Sequence, residues 1–127
     1  MIFKKNLKKE KMYNKNNIFA KILKKKIPCN VVYEDEFVLF FNDINPQAKI
    51  HIIGIPKIEV INFSDFIEKA DSKLLKHFFN KTSELIKDMG IEKKGYKIIT
   101  NSGENGGQEV PHFHIHILGG EKLTHLK

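Results

Sequence analysis

His112, His114 and His116 alternate with Phe113, Ile115 and Ile117 in the run that begins at Pro111. Side chains along a β-strand point to opposite faces with a period of two. A strand here therefore puts three imidazoles on one face and three large apolar groups on the other. The apolar face demands a core to rest on, so the histidine face is held in one fixed plane. Imidazole has an unperturbed pKa of ~6.5, which suits it to act as nucleophile, acid or base near neutrality. Three such rings side by side are hard to explain by packing alone, and the strand is the candidate active site.

The residues from Asn101 to Val110 lead straight into that strand and carry glycines at 103, 106 and 107. Glycine lets the backbone turn tightly and present N–H groups, as anion-binding nests require. A glycine pair alone says little. Next to three histidines it puts anion donors and a nucleophile within one turn of each other. Pro111 is compatible, since proline is tolerated at the first residue of a strand.

With 127 residues, the chain is long enough for one domain that buries about two thirds of its unfolded surface. The formal net charge of +7 is unevenly spread: the stretch up to Lys26 carries +9 and the remainder −2. The basic character thus belongs to the N-terminal stretch and not to the body. All 22 basic residues are lysine, so the bidentate guanidinium contacts of sequence-specific DNA readers are absent, and specific nucleic-acid binding is not expected. Cys29 is the single cysteine, which excludes an intramolecular disulfide and suits a reducing compartment. No apolar run approaches the ~20 residues of a membrane span, so a cytoplasmic protein without membrane contact is expected.

Residues 1–17 are rich in lysine and asparagine and are expected to form a flexible extension, with a single domain over 18–127. Met12 is a possible alternative start. Asn16 or Asn17 caps a short helix from Ile18 to about Lys25, stopped by Pro28. Val31–Tyr33, Phe37–Phe41 and Ile50–Ile55 read as strands, and Phe63–Ala70 as a short helix. Asp71–Met89 is the clearest helix, with Leu74, Leu75, Phe78, Phe79, Leu85, Ile86 and Met89 at helical spacing and Gly90 as terminator. Tyr96–Thr100 and His112–Leu118 complete about five strands. The order suits an α+β domain with an antiparallel sheet.

The block from Gly106 to Gly120 resembles the histidine triad superfamily, in particular its nucleotide-binding branch. The resemblance rests on Gly106-Gly107-Gln108, the His-x-His-x-His run and the closing Leu118-Gly119-Gly120. Ile18-Phe19, Tyr33-Glu34-Asp35, Asp43 through Ala48, and His51 through Lys57 extend it over nearly the whole chain. It implies a five-stranded sheet, a symmetric homodimer, a purine nucleotide or nucleoside phosphoramidate as substrate, and no cofactor.

By that resemblance His114 attacks the α-phosphorus and forms a nucleotidyl-histidine that water hydrolyses, with its other nitrogen held by a backbone carbonyl. His112 and His116 flank the phosphate, and His51 orients or protonates a partner imidazole. Asn101 and the Gly107-Gln108-Glu109 turn hold the phosphate. Asp43 binds the ribose hydroxyls, although an aspartate capping a turn before Pro46 explains it equally well. Phe19, Ile22, Ile27, Phe41 and Ile44 line the base pocket. Glu109 departs from relatives that carry serine or threonine there. Its carboxylate is expected to turn away from the phosphate, so that serine would do as well or better; the alternative is that it positions or attracts the amine leaving group. The implied activity is P–N hydrolysis of adenosine 5′-phosphoramidates. Alternatives are dinucleoside polyphosphate hydrolysis, a nucleotide-binding regulatory module and, last, a zinc protein, since no carboxylate ligand follows the triad. His77 and His125 receive no role.

Overall fold

The computed structural model describes residues 12–124; residues 1–11 and 125–127, and with them His125, lie outside the described residues. Eight elements follow in the order α1 (Ile18–Leu23), β1 (Asn30–Glu34), β2 (Val38–Asn42), β3 (Ile50–Pro56), α2 (Phe63–Lys69), α3 (Ser72–Asp88), β4 (Tyr96–Ile99) and β5 (Ile115–Gly119). The strands form one sheet in the order β1-β2-β3-β5-β4, and every neighbouring pair is antiparallel.

Each helix starts where a polar side chain takes an orphan backbone N–H. Asn17 accepts from Ala20, Asn62 from Asp65 and Asp71 from Leu74. The α3 helix ends at Met89, followed by Gly90 in the left-handed region at φ 74°.

Both faces of the sheet are covered, so β2 and β3 are apolar almost throughout. Val38, Phe40, Ile52, Phe113, Ile115 and Ile117 pack with Phe66, Phe78, Leu85 and Ile86, and the rings of Phe66 and Phe113 stack with centroids 4.6 Å apart. On the opposite face α1 contributes Phe19 and Ile22 to a second cluster with Leu39, Phe41, Ile53 and Ile55. A Cβ on Gly54 would stand 2.4 Å from the Phe40 ring, so this β3 position admits no side chain. In α3, Phe79 is 39% exposed, whereas Thr82 is buried and donates its hydroxyl to the Phe78 carbonyl.

Two expectations need correction. The triad strand was expected from His112, but β5 begins at Ile115, where pairing with β3 ends at Gly54. Pro56 closes β3 without an N–H to offer, and the Phe113 N–H bonds instead to the Val60 carbonyl at 2.9 Å. The lead-in residues keep the alternation of side chains but leave the ladder. The second correction concerns the N-terminal boundary. Tyr13 is part-buried and Asn17 is buried, so the packed body begins ahead of Ile18.

Candidate functional site

A cavity of about 520 Å³ opens on the α1 side of the sheet, with His114 and His116 in its wall. Both rings are nearly enclosed, at 6% and 7% exposure, and lie 5.1 Å apart edge to face. His114 Nδ1 is 2.7 Å from the carbonyl oxygen of His112. A carbonyl only accepts, so Nδ1 carries the proton and the lone pair of a neutral ring lies on Nε2. The Thr100 hydroxyl donates to the carbonyl of His114 at 2.7 Å, and the Phe19 ring meets the imidazole edge-on at 4.9 Å. The tautomer of His114 is thus chosen by the backbone, and its ring is fixed by α1 and the end of β4.

The β3–β5 register sets His116 opposite Ile53 and His51 opposite Leu118. The two histidines are then diagonal neighbours on one face, within reach of each other. His51 Nε2 lies 2.9 Å from His116 Nδ1, while His51 Nδ1 accepts the Gln47 backbone N–H at 3.0 Å. With Nδ1 an acceptor, the proton of neutral His51 sits on Nε2 and is donated to His116. The proton of His116 is consequently on Nε2.

Asp43 follows β2, and its N–H pairs with the His51 carbonyl. One carboxylate oxygen closes a turn on the Asn45 N–H at 2.8 Å, and the other lies 3.2 Å from His51 Nε2. The turn-capping explanation of Asp43 is met, and Asp43 also lines the cavity.

Asp43, His51 and His116 offer ligand atoms within 4.8 Å of one another. Here is the carboxylate that the order of residues around the triad did not reveal, so that argument against metal fails. The donor chemistry still disfavours an ion. A metal-bound imidazole normally donates its other N–H outward, whereas the other nitrogen of His51 faces a backbone N–H. A metal on Nε2 would leave that ring with no proton. The three groups form a proton-bonded chain.

His112 departs from its expected place at the phosphate. It is 1% exposed and absent from the cavity wall. Its Nε2 donates to the Pro56 carbonyl at 3.0 Å, and its Nδ1 meets the Tyr13 hydroxyl at 2.6 Å. Burial above all, with His114 adding, pushes its pKa down to about 4, against the opposing pull of the Pro56 carbonyl.

The glycine-rich turn folds back on itself. A Cβ on Gly106 would fall 2.4 Å from the Ser102 carbonyl oxygen, so this close approach requires glycine. The N–H groups of Gly107 and Gln108, expected at the phosphate, bond instead to the Glu104 and Gly103 carbonyls. The Gln108 side chain ties the turn to the body through the Ile61 and Val110 carbonyls and the Gly103 N–H; it does not line the cavity. Asn101 lines the cavity and gives one Nδ2 hydrogen to the Gly106 carbonyl.

Phe19, Ile22, Ile27, Phe41 and Ile44 all meet in the cavity wall with Asp43, Gly107 and Glu109. Ile44 is 87% exposed and marks the mouth. Sequence reasoning missed Ile18, Pro28, Cys29, Asn42, Ile53 and Val110 in that wall; α1 and the strand parity point to Ile18 and Ile53, while nothing local points to the others. Burial, then Glu34, raises the Cys29 pKa, which keeps the thiol protonated. No described lysine lines the cavity, and its carboxylates are Asp43 and Glu109. His77 sits elsewhere, 2.7 Å from the Asp35 carboxylate.

The HIT domain model matches residues 24–123. The chain belongs to the HIT domain family. An uncharacterised HIT-like protein of Rickettsia prowazekii is 51% identical over 115 residues, spanning 91% of this chain and 96% of that protein. The purine nucleoside phosphoramidase of Escherichia coli is 39% identical over 106 residues, spanning 84% and 88%. Among solved structures, a histidine triad protein from Clostridium difficile superposes with a TM-score of 0.80 at 39% identity, covering 91% of this chain and 100% of that one. A HIT family hydrolase from Legionella pneumophila likewise reaches 0.80 at 39% identity, covering 86% and 96%. These two solved structures share the sheet and helices described above.

The buried His112 ring makes stability depend on pH. Its folded pKa, about 4, lies below the ordinary 6.5, so between these values the unfolded chain binds a proton that the folded chain refuses. Stability from this group is full above pH 6.5 and falls as pH drops, by up to about 1.4 kcal/mol per pH unit. Urea denaturation from pH 7 to 4 should show this slope, and His112→Gln should flatten it.

Proposed function

We propose that this HIT protein hydrolyses the P–N bond of adenosine 5′-phosphoramidates through a nucleotidyl-histidine, as a member of the nucleotide-binding branch. The observation that carries the reading is the 2.7 Å bond from His114 Nδ1 to the His112 carbonyl, which puts the attacking lone pair on Nε2 at an apolar cavity of nucleoside size. Nε2 of His114 attacks the α-phosphorus and the P–N bond breaks, the departing nitrogen taking up a proton from solvent to leave as the amine. Water then attacks the same phosphorus and gives its proton back to solvent, the bond to His114 breaks, and the mononucleotide leaves with the ring neutral again. Splitting one hard displacement into two is the general advantage of covalent catalysis. In this scheme the Nε2–H of His116 donates a hydrogen bond to the phosphate oxygens or to the leaving nitrogen, and His51 holds that tautomer. His112 acts through its carbonyl. Asn101 and the turn hold the phosphate, and Asp43 the ribose.

The name of the Escherichia coli relative supports this substrate class. So does the charge of the cavity wall, which has Asp43 and Glu109 but no described lysine. A dinucleoside polyphosphate brings several more negative charges to that wall. An amine leaving group brings none and, when it carries a second ammonium, complements Glu109. A regulatory module with incidental chemistry would turn over far below the usual enzyme range of ~1–1000 per second.

An adenosine phosphoramidate should be hydrolysed in preference to diadenosine polyphosphates. His114→Ala should lower turnover by about a thousandfold or more and retain nucleotide binding. Intact-mass analysis of quenched reactions should find the nucleotidyl adduct on the wild type alone; an adduct on the variant would remove His114 as nucleophile. Glu109→Ser should spare substrates with neutral amines and slow those with a cationic amine about tenfold or more, the scale of one lost charge-assisted contact.

We also infer a symmetric homodimer. β4 is an edge strand of the sheet, and it exposes Tyr96 and Ile98 at 40% and 44%. Sedimentation should give twice the chain mass, and Ile98→Lys should shift the balance toward monomer.

A further inference from the structure

Tyr13 lies in the lysine- and asparagine-rich stretch ahead of α1, where the sequence shows no pattern of burial. Its hydroxyl nevertheless stands 2.6 Å from Nδ1 of a histidine 99 residues later. The direction of that bond is determined. His112 Nε2 faces the Pro56 carbonyl at 3.0 Å and must carry the proton of the neutral ring. Nδ1 is then an acceptor, and the Tyr13 hydroxyl is the donor.

The rings meet edge to face with centroids 5.6 Å apart. Phe19 of α1 lies edge-on to the His112 ring and also to that of His114. Both ring nitrogens of His112 are therefore saturated and its plane is fixed. At 1% exposure, loss of the donor would leave a buried lone pair unsatisfied, a costly state. The ring and the peptide that carries it would shift to find another partner.

That peptide matters because its carbonyl holds the His114 Nδ1 proton at 2.7 Å. We propose that Tyr13 is a positioning residue of the triad, which fixes the tautomer and plane of His112 and thereby the carbonyl that orients the His114 ring. Tyr13 touches neither the cavity nor a substrate. Burial first, and then Glu59, raise its pKa against the pull of the Asn17 side chain, which keeps the hydroxyl protonated and donating across the physiological range. The inference rests on the proposed function only in naming His114 as the nucleophile.

The test uses Tyr13→Phe, which retains the ring and removes the hydroxyl. Lys15→Ala is the control, since it breaks the 3.4 Å pair with Glu59 and leaves the hydroxyl in place. On the phosphoramidate substrate, Tyr13→Phe should lower kcat about tenfold, the rate equivalent of one lost hydrogen bond in a pre-set site. KM should stay within about twofold, because binding and chemistry use different groups. Lys15→Ala should match the wild type.

Nitrogen-15 spectra of the histidines supply a readout that does not depend on turnover. The wild type should show His112 as the Nε2-protonated tautomer with a hydrogen-bonded Nδ1, and His114 as the Nδ1-protonated tautomer. In Tyr13→Phe the His112 Nδ1 signal should lose its hydrogen bond and the His114 Nδ1 proton should exchange faster. An Nδ1-protonated His112 in the wild type would overturn the proposal even if the variant failed to fold. An unchanged kcat, or a lower kcat with unchanged histidine signals, would overturn it too. Absence of turnover in the wild type would defeat the phosphoramidase reading instead and leave the spectroscopic arm standing.

Discussion

The hydrogen bond from His114 Nδ1 to the carbonyl of residue 112 determines which ring nitrogen can act, and much of the fold serves to make that carbonyl available. In a regular strand, a carbonyl at this place would be drawn into the ladder. Pairing between β3 and β5 stops at Gly54 and Ile115, just short of His114 and His112. Pro56, which brings no N–H, closes β3 and gives its own carbonyl to the His112 ring. The end of the sheet thus frees one acceptor for His114 and supplies another to His112.

The core and the chemistry meet on one short segment. Phe113, Ile115 and Ile117 are sealed against α2 and α3, while the rings between them face α1. This two-sidedness was legible in the sequence because period-two alternation is a geometric rule that tertiary packing seldom breaks. A cap at Asn16 or Asn17 and the extent of α3 were legible too, since the chemistry of a helix end and the helical spacing of apolar residues are local. The apolar side of the cavity was reached through the family resemblance; its residues alone read as ordinary core.

What the sequence concealed were contacts made across the fold. Nothing near Tyr13 announces a partner 99 positions on, and its lysine-rich setting argues against burial. Asp43 and His116 come together only once β3 lies between β2 and β5. The expectation that His112 faces the phosphate came from the family resemblance, and strand parity allowed it. It failed because a side chain on the correct face can still lie behind its neighbour, where Pro56 and Tyr13 hold it.

The cavity draws its wall from two kinds of backbone. His114, His116, Phe41 and Ile53 belong to the sheet or its immediate lead-in; Phe19, Ile22, Gly107 and Glu109 belong to α1 and the glycine-rich turn. The sheet residues are clamped from both faces and move only if the core does. The six-residue helix is held by its own cap and by packing, and the turn by its internal bonds and the Gln108 tether, whereas the floor is held by the strand ladder. Rim and floor therefore rest on separate sets of interactions, and a substitution in one leaves the support of the other in place.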